Sequence, residues 1–383
     1  MTPPSSINPI PFNKPFIAGK ELFYIAQAVI FGNVSGDGYF TDRCCEILKE
    51  RLDIQELFLT TSCTSALEMA AMLCDLGPGD EVLMPSFTFV STANAFVRTG
   101  ATPVFIDIRE DTLNIDENLI EAAITPRTRA IVPVHYGGVG CEMNRIMEIA
   151  AEHDLRVIED AAQAVNAFYD GKALGTIGDL GCYSFHETKN YICGEGGALC
   201  LNDPAFVERA EIVRDKGTNR KQFFRGHVDK YTWVDIGSSY VLSEILSAFL
   251  CGQLEELDSL RETRQRLFER YFERLKPLAE HGAFRLPTIP SNCQSNYHNL
   301  VIRLENRDIR DRLMTHLNNA GISAVFHYIP LHSAPMGIKL GRHRALPITE
   351  DLSFRILRLP FYYELREDEI ERIATELERF FGR

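Results

Sequence analysis

The stretch LFLTTSCTSALEMAAMLCDLGPGDEVLMPSFTFVSTANAFVRTGATPVFI, residues 57–106, decides the fold. Three strand-like runs, Leu57 to Thr60, Glu81 to Met84 and Thr102 to Ile106, alternate with helical patterns near residues 65–75 and 89–98. The alternation continues through the runs Ala130 to Val134 and Arg156 to Ile158, with helical segments near 116–124 and 141–153. Strands separated by single helices of this length build crossover units. The expected class is α/β, with a largely parallel, doubly wound sheet sandwiched by helices. Such sheets bind ligands at the carboxyl ends of their strands, so the loops there carry the functional reading.

After the first strand, Ser62, Thr64 and Ser65 open a helix, where free N–H groups, the helix dipole and hydroxyls suit a phosphate. Plain N-capping by Ser62 or Thr64 is the competing reading. PSFTF sets Phe87 and Phe89 at the next helix start, either as core or as cover for a flat ring. His135 ends a strand, in a structural or a catalytic role. VIEDAAQAV ends a strand in Glu159-Asp160 and runs on to Gln163. Further on, GDLGCYSFHETKNYICGEGGALCL (178–201) pairs the strand-like runs Gly181 to Phe185 and Ala198 to Leu201 around a polar bend with one lysine, Lys189. A lysine between buried strands loses its proton or forms an imine with a carbonyl compound. The strand-end carboxylate Asp160 then suits a pyridinium nitrogen as counter-ion. An exposed hairpin with a surface lysine, and an acidic helix cap, are the competing readings.

The chain's 383 residues are enough for two domains, read as 1–250 and 251–383, with a near-continuous helical pattern from Ser243 to about Leu278 as the bridge. The second is a small α+β unit, with strands near 299–304 and 322–325, a helix after Asp308 and a closing helix over about 368–381. A net charge of −13 argues against general nucleic-acid binding, so an anionic ligand needs a local cation cluster. The clearest is Arg214, Lys216, Arg220, Lys221 and Arg225, a diphosphate site or a solvated loop. Ten scattered cysteines show no metal or disulfide spacing and read as reduced thiols of a cytoplasmic protein. The first ten residues lack a signal peptide's basic start and apolar core, and no apolar run is long enough to span a membrane. Near the start, a helix is expected over about 19–30, with Ile25, Ala26, Val29 and Ile30 on one side and Gly32 closing it. Gly36-Asp37-Gly38 is expected to form a plain turn, with lining a site as the competing reading. Late in the chain, FHYIPLHSAP gathers His327, Tyr328 and His332.

The ordered segments SxTxAL, PSFTF, EDAAQA and SFHETKN followed by GEGGA resemble the DegT-like sugar-nucleotide aminotransferases, pyridoxal-phosphate enzymes of fold type I, from about Pro11 onward. The resemblance implies that Lys189 is the Schiff-base lysine, Asp160 the pyridinium partner, Gln163 the residue near the cofactor's phenolic oxygen and Phe89 the stacking ring. It further implies phosphate contacts from Thr64, Ser65 and Ser184, and from Ser239 toward a neighbouring subunit. His332 is expected near the active site. Two departures stand out: Cys63 where glycine is common and Ser239 where asparagine is common. Implied as well are pyridoxal 5'-phosphate, a homodimer with shared sites, L-glutamate as donor and a dTDP-linked 4-keto sugar as acceptor, met by Arg220 and Arg225. Alternatives are the gluco epimer, amination at C3, or a cofactor-binding regulator without turnover. Lys189 argues against the family's dehydratases, which carry histidine there.

Overall fold

The computed structural model describes residues 8–382. Most of the leader, residues 1–7, lies outside the described residues. All seven strands read from residues 57–201 form, and they join one large sheet with an eighth, Arg342–His343. In space the order is Glu56–Thr60, Gly197–Leu201, Leu180–Ser184, Arg156–Asp160, Thr128–Ile131, Glu81–Pro85, Thr102–Ile106 and Arg342–His343. Gly197–Leu201 runs antiparallel to both of its neighbours, and the pairs from Leu180–Ser184 outward are parallel.

Alternation along each strand sends side chains to two different cores. Leu57, Leu83, Ile131 and Val157 face one. Phe58, Val82, Ala130 and Ile158 face the other. A further cluster gathers Phe268 and Tyr271 with Leu300, Leu313 and Leu377 around the antiparallel pair Leu300–Arg303 and Ile356–Leu359. Helix Leu257–Glu280 serves both sides: Leu257 and Leu260 pack into the large-sheet core, and residues from Phe268 onward pack into the C-terminal cluster. We propose the division near residue 250. Two segments cross it, because Ile10 packs into the C-terminal cluster and Arg342–His343 pairs with Thr102–Ile106.

Four local expectations change. The segment 116–124 forms two 3₁₀ turns, Glu117–Leu119 and Glu121–Ala123. Asp116 accepts the Asn118 N–H in a tight turn, and Thr125-Pro126 stops any extension. Residues 322–325 make only single bridges, Ile322 to Ile10 and Val325 to Arg358, because their partners lie on different segments. The long helical pattern after Ser243 breaks at Glu255-Glu256 into Glu244–Leu254 and Leu257–Glu280. The first helix, Glu21–Phe31, ends at Gly32 as read, but Val29 and Ile30 are exposed and Ala28 is buried instead. That helix is apolar nearly all round, so periodicity could not choose its packed face.

Gly197 sits where strand Gly197–Leu201 meets the start of helix Cys63–Leu73. A β-carbon there would lie 2.4 Å from the Ser62 carbonyl carbon and 2.5 Å from the Cys63 nitrogen. Both are backbone atoms and cannot swing aside. Gly197→Ala is therefore expected to cost about 1–3 kcal/mol, as overpacking does, read as a lower urea midpoint. An unchanged midpoint would show that this approach is not a constraint.

Candidate active site

Loops at the carboxyl ends of the central strands open onto a cavity of about 680 Å³, roofed by residues from the C-terminal third. That is within the ~300–1,000 Å³ usual for small-molecule sites. Asp160, 5% exposed, ends strand Arg156–Asp160 on the cavity wall. Its Oδ2 accepts from Thr92 Oγ1 at 2.7 Å and its Oδ1 from the Ala162 N–H at 3.2 Å. Those bonds aim the carboxylate and leave lone pairs for another donor.

Lys189 lies half-buried in the bend after Leu180–Ser184, its N–H bonded to the His186 carbonyl at 2.9 Å, and lines the same cavity. Burial lowers the pKa of its amine; Cys63 and Asp160 oppose this, and the Arg358 charge adds to it. The direction is the one an amine nucleophile needs.

Thr64 and Ser184 line the cavity beside Ser62 and Cys63. Thr64 Oγ1 donates to Ser91 Oγ at 2.7 Å. Ser62 is the N-cap, accepting the Ser65 N–H at 3.1 Å, so the capping reading holds for that residue. Ser65 points away: its hydroxyl meets Thr61 Oγ1 and Ser62 Oγ, and it does not line the cavity. Cys63 is a buried thiol held protonated by desolvation. Of the two phenylalanines, Phe87 is core, edge-on to Tyr136, whereas Phe89 is 57% exposed on the cavity rim. Gln163 accepts the Gly137 N–H at 2.7 Å and donates to Tyr328 Oη at 3.0 Å, tying the roof to the floor.

Other residues named from sequence lie elsewhere. Ser239 is exposed, bridges to Asp215 and does not line this chain's cavity. Arg225 makes a double ion pair with Glu211, and Arg220 lies over Phe224 and near Asp215. Neither reaches the cavity of its own chain. The basic loop is largely self-neutralised, with Lys216 on Asp215 and both Arg214 and Lys221 on Asp37. Asp37 thus serves the expected Gly36-Asp37-Gly38 turn as an ion-pair anchor. His332 is buried behind the cavity, bonded through Nδ1 to Ser86 Oγ at 2.7 Å and through Nε2 to Glu350 at 3.3 Å. Its expected place at the site is replaced by its loop neighbours His327 and Tyr328. His135 is structural: its Nδ1 accepts the Cys141 N–H, so its Nε2 donates to Glu159.

The sequence reading passed over His298, Asn299 and Arg358, which also line the cavity. His298 donates from Nδ1 to Asn190 Oδ1 at 3.0 Å; burial first, then Lys189 and Arg358, push it well below the usual histidine range. His327 is pushed down to about 4 by burial and by Arg358. Both rings are neutral near pH 7.

Residues 20–378 match the DegT/DnrJ/EryC1/StrS aminotransferase family. The chain belongs to that family. Its members are pyridoxal-phosphate enzymes. A curated relative from Acidithiobacillus ferrooxidans, named UDP-N-acetyl-3-dehydro-alpha-D-glucosamine 3-aminotransferase, is 38% identical over 321 residues, 82% of each chain. The aminotransferase also superposes on a DegT DnrJ EryC1 StrS aminotransferase from Brucella abortus, with TM-score 0.87, 32% identity, and 95% and 96% of the two chains covered. S. venezuelae DesV, solved with a ketimine intermediate, gives TM-score 0.89 and 30% identity, covering 98% and 99%. The residues present fit the cofactor. A depressed amine, a buried carboxylate with unspent lone pairs, an exposed aromatic face and a hydroxyl-lined helix start converge on one cavity.

Borohydride treatment of the yellow holoenzyme is expected to fix the cofactor on Lys189, read by peptide mapping; attachment at any other lysine would refute the site. Asp160→Asn is expected to retain the cofactor and lose roughly 100- to 1,000-fold in kcat, the scale of a deleted electrostatic stabiliser. Near-normal turnover would mean that the ring nitrogen lies elsewhere.

Proposed function

We propose that the aminotransferase moves an amino group from L-glutamate to C4 of dTDP-4-keto-6-deoxy-D-glucose. The products are dTDP-4-amino-4,6-dideoxy-D-galactose and 2-oxoglutarate. Amination is carried by one observation, the Lys189 amine opening on the same cavity as the buried Asp160 carboxylate. The sugar rests on likeness: SGDGYFT, SFHETKNY, DKGTNRKQFF and FHYIPLHSAP resemble the transaminases that make this galacto-configured product.

Bound pyridoxal phosphate supplies a carbonyl for the amino group and an electron-withdrawing ring. The chain supplies the rest. Thr64, Ser184 and the free N–H groups at the start of helix Cys63–Leu73 would hold the phosphate. Phe89 would cover the ring, and Asp160, oriented by Thr92 and the Ala162 N–H, would keep a proton on its nitrogen. Lys189 Nζ takes the proton from the donor's Cα in the first half-reaction and delivers one to the sugar's C4 in the second. The Gln163–Tyr328 bond keeps the roof over the reacting atoms.

Two further parts of the reading have their own support. A homodimer is supported by exposed apolar side chains on the first two helices, among them Leu22, Phe23, Ile30, Phe31 and Tyr39. A cytoplasmic location is supported by ten unpaired cysteines. Among the described residues no helix is long and apolar enough to cross a membrane. Arg220 and Arg225 stand outside the cavity of their own chain, where Asp215 and Glu211 meet their charges.

The name of the A. ferrooxidans relative favours a second reading, amination at C3 of a UDP-linked N-acetyl sugar. Incubation with glutamate and both keto-sugar nucleotides, followed by NMR, separates the two. The first reading expects an amine on C4 and a small H3–H4 coupling, because H4 is equatorial in the galacto product. A large diaxial coupling would indicate the gluco epimer, and an amine on C3 the second reading.

A further inference from the structure

Arg358 is a buried cation without a counter-ion. It sits on strand Ile356–Leu359, is 7% exposed, and lines the cavity that holds Lys189 and Asp160. Among the described residues it forms no ion pair. Its one side-chain hydrogen bond is a long one, Nη1 to His327 Nδ1 at 3.3 Å, and its Nε has no partner. The accepting Nδ1 belongs to a neutral ring, so His327 brings no negative charge. Phe12 lies under the guanidinium, 5.0 Å from ring centre to Cζ, and holds its plane in place. Two other buried arginines find acceptors: Arg214 reaches Asp37 and Leu59 O, and Arg264 reaches the carbonyls of Tyr297 and His298, while buried Arg310 pairs with Asp311. A guanidinium kept desolvated and unpaired is costly unless an anion arrives to meet it. Its charge also falls on the Lys189 amine and depresses it further.

We propose that Arg358 binds the carboxylate of the amino donor, and of the keto acid that the donor leaves behind. This rests on the aminotransferase reading above. The choice among anions follows from bonding. A donor's α-carboxylate is one bond from the Cα that Lys189 deprotonates, so its receptor must lie deep in the cavity beside that amine. A sugar nucleotide's diphosphate hangs on C1, several bonds from the reacting carbon, and belongs toward the mouth. The cofactor's phosphate has its own cradle at the start of helix Cys63–Leu73, where Thr64 and Ser184 stand. A planar guanidinium meets a carboxylate with two parallel hydrogen bonds, a geometry lysine cannot copy.

The test compares holoenzyme and its R358Q and R358K variants in three titrations. L-Glutamate and 2-oxoglutarate are followed through the cofactor's absorbance, and non-reacting glutarate by calorimetry. R358Q is expected to raise half-saturation for glutamate and 2-oxoglutarate about 100-fold and to lose glutarate binding. R358K should fall between. The KM for the sugar nucleotide and the cofactor's affinity should move less than twofold, and the melting temperature should hold or rise, because an unpaired charge has been removed. A rise confined to the sugar-nucleotide KM would overturn the proposal in favour of the diphosphate. Cofactor loss would overturn it in favour of the phosphate, and a fall in melting temperature with unchanged donor binding would make Arg358 structural. A wild type whose absorbance ignores glutamate while sugar binding persists would overturn the donor assignment itself.

Discussion

The buried carboxylate of Glu159 ties the centre of the sheet together. It is fully enclosed and accepts four hydrogen bonds, from the N–H groups of Gly175, Ile177 and Gly178 and from His135 Nε2. Those donors come from the approach to strand Leu180–Ser184 and from the loop after Thr128–Ile131. One side chain on strand Arg156–Asp160 thus pins the connections of both neighbouring strands. Because successive residues of a strand face opposite ways, the next residue, Asp160, is turned into the cavity. The structural acid and the reactive acid are adjacent in sequence and divided by the plane of the sheet.

The same economy governs the cofactor cradle. Gly197 lets strand Gly197–Leu201 close on the backbone of Ser62 and Cys63, which sets the start of helix Cys63–Leu73 against the strand leading out of the Lys189 bend. In the structure the tight approach at Gly197 is to the protein's own turn. The hydroxyls and the lysine are held to each other first, and the ligand meets a finished surface, which lowers the ordering cost of binding.

Charge inside the cavity is graded by burial. Asp160 is the buried carboxylate on the walls and Glu195 an exposed one beside His186, and the cations Arg358, buried, and Lys189, half-buried, face the same space. His298 and His327 add no charge near pH 7, since burial and these cations hold them neutral. A cofactor phosphate would meet the hydroxyls at the start of helix Cys63–Leu73, and a substrate carboxylate, on the proposal above, the Arg358 guanidinium. That is how a chain with net charge −13 accommodates anionic ligands.

Sequence by itself determined the seven strands between residues 57 and 201 and the helix that starts at the Ser/Thr cluster, and it pointed to Lys189 and Asp160, which the structure brings to one cavity. Each is a local pattern: hydrophobic period, capping residue or strand-end polarity. It determined the family as well, through four ordered motifs that line one cavity. Tertiary structure alone decided which loop residues face inward. Phe87 and Phe89 are two apart in one motif, yet one is core and the other cavity rim. His327 lines the site and His332, in the same loop, supports Ser86 and Glu350 behind it. The cation cluster at 214–225 reads as an anion site, but its charges are met by Asp37, Glu211 and Asp215, separated from them by up to 177 positions. Arg358 stands in an unremarkable strand pattern, and only the packing of strand Ile356–Leu359 over the carboxyl ends of the large sheet sets its charge beside Lys189. Local patterns encode which elements form. The partner of each charge depends on contacts between segments far apart in the chain, and a single sequence does not display them.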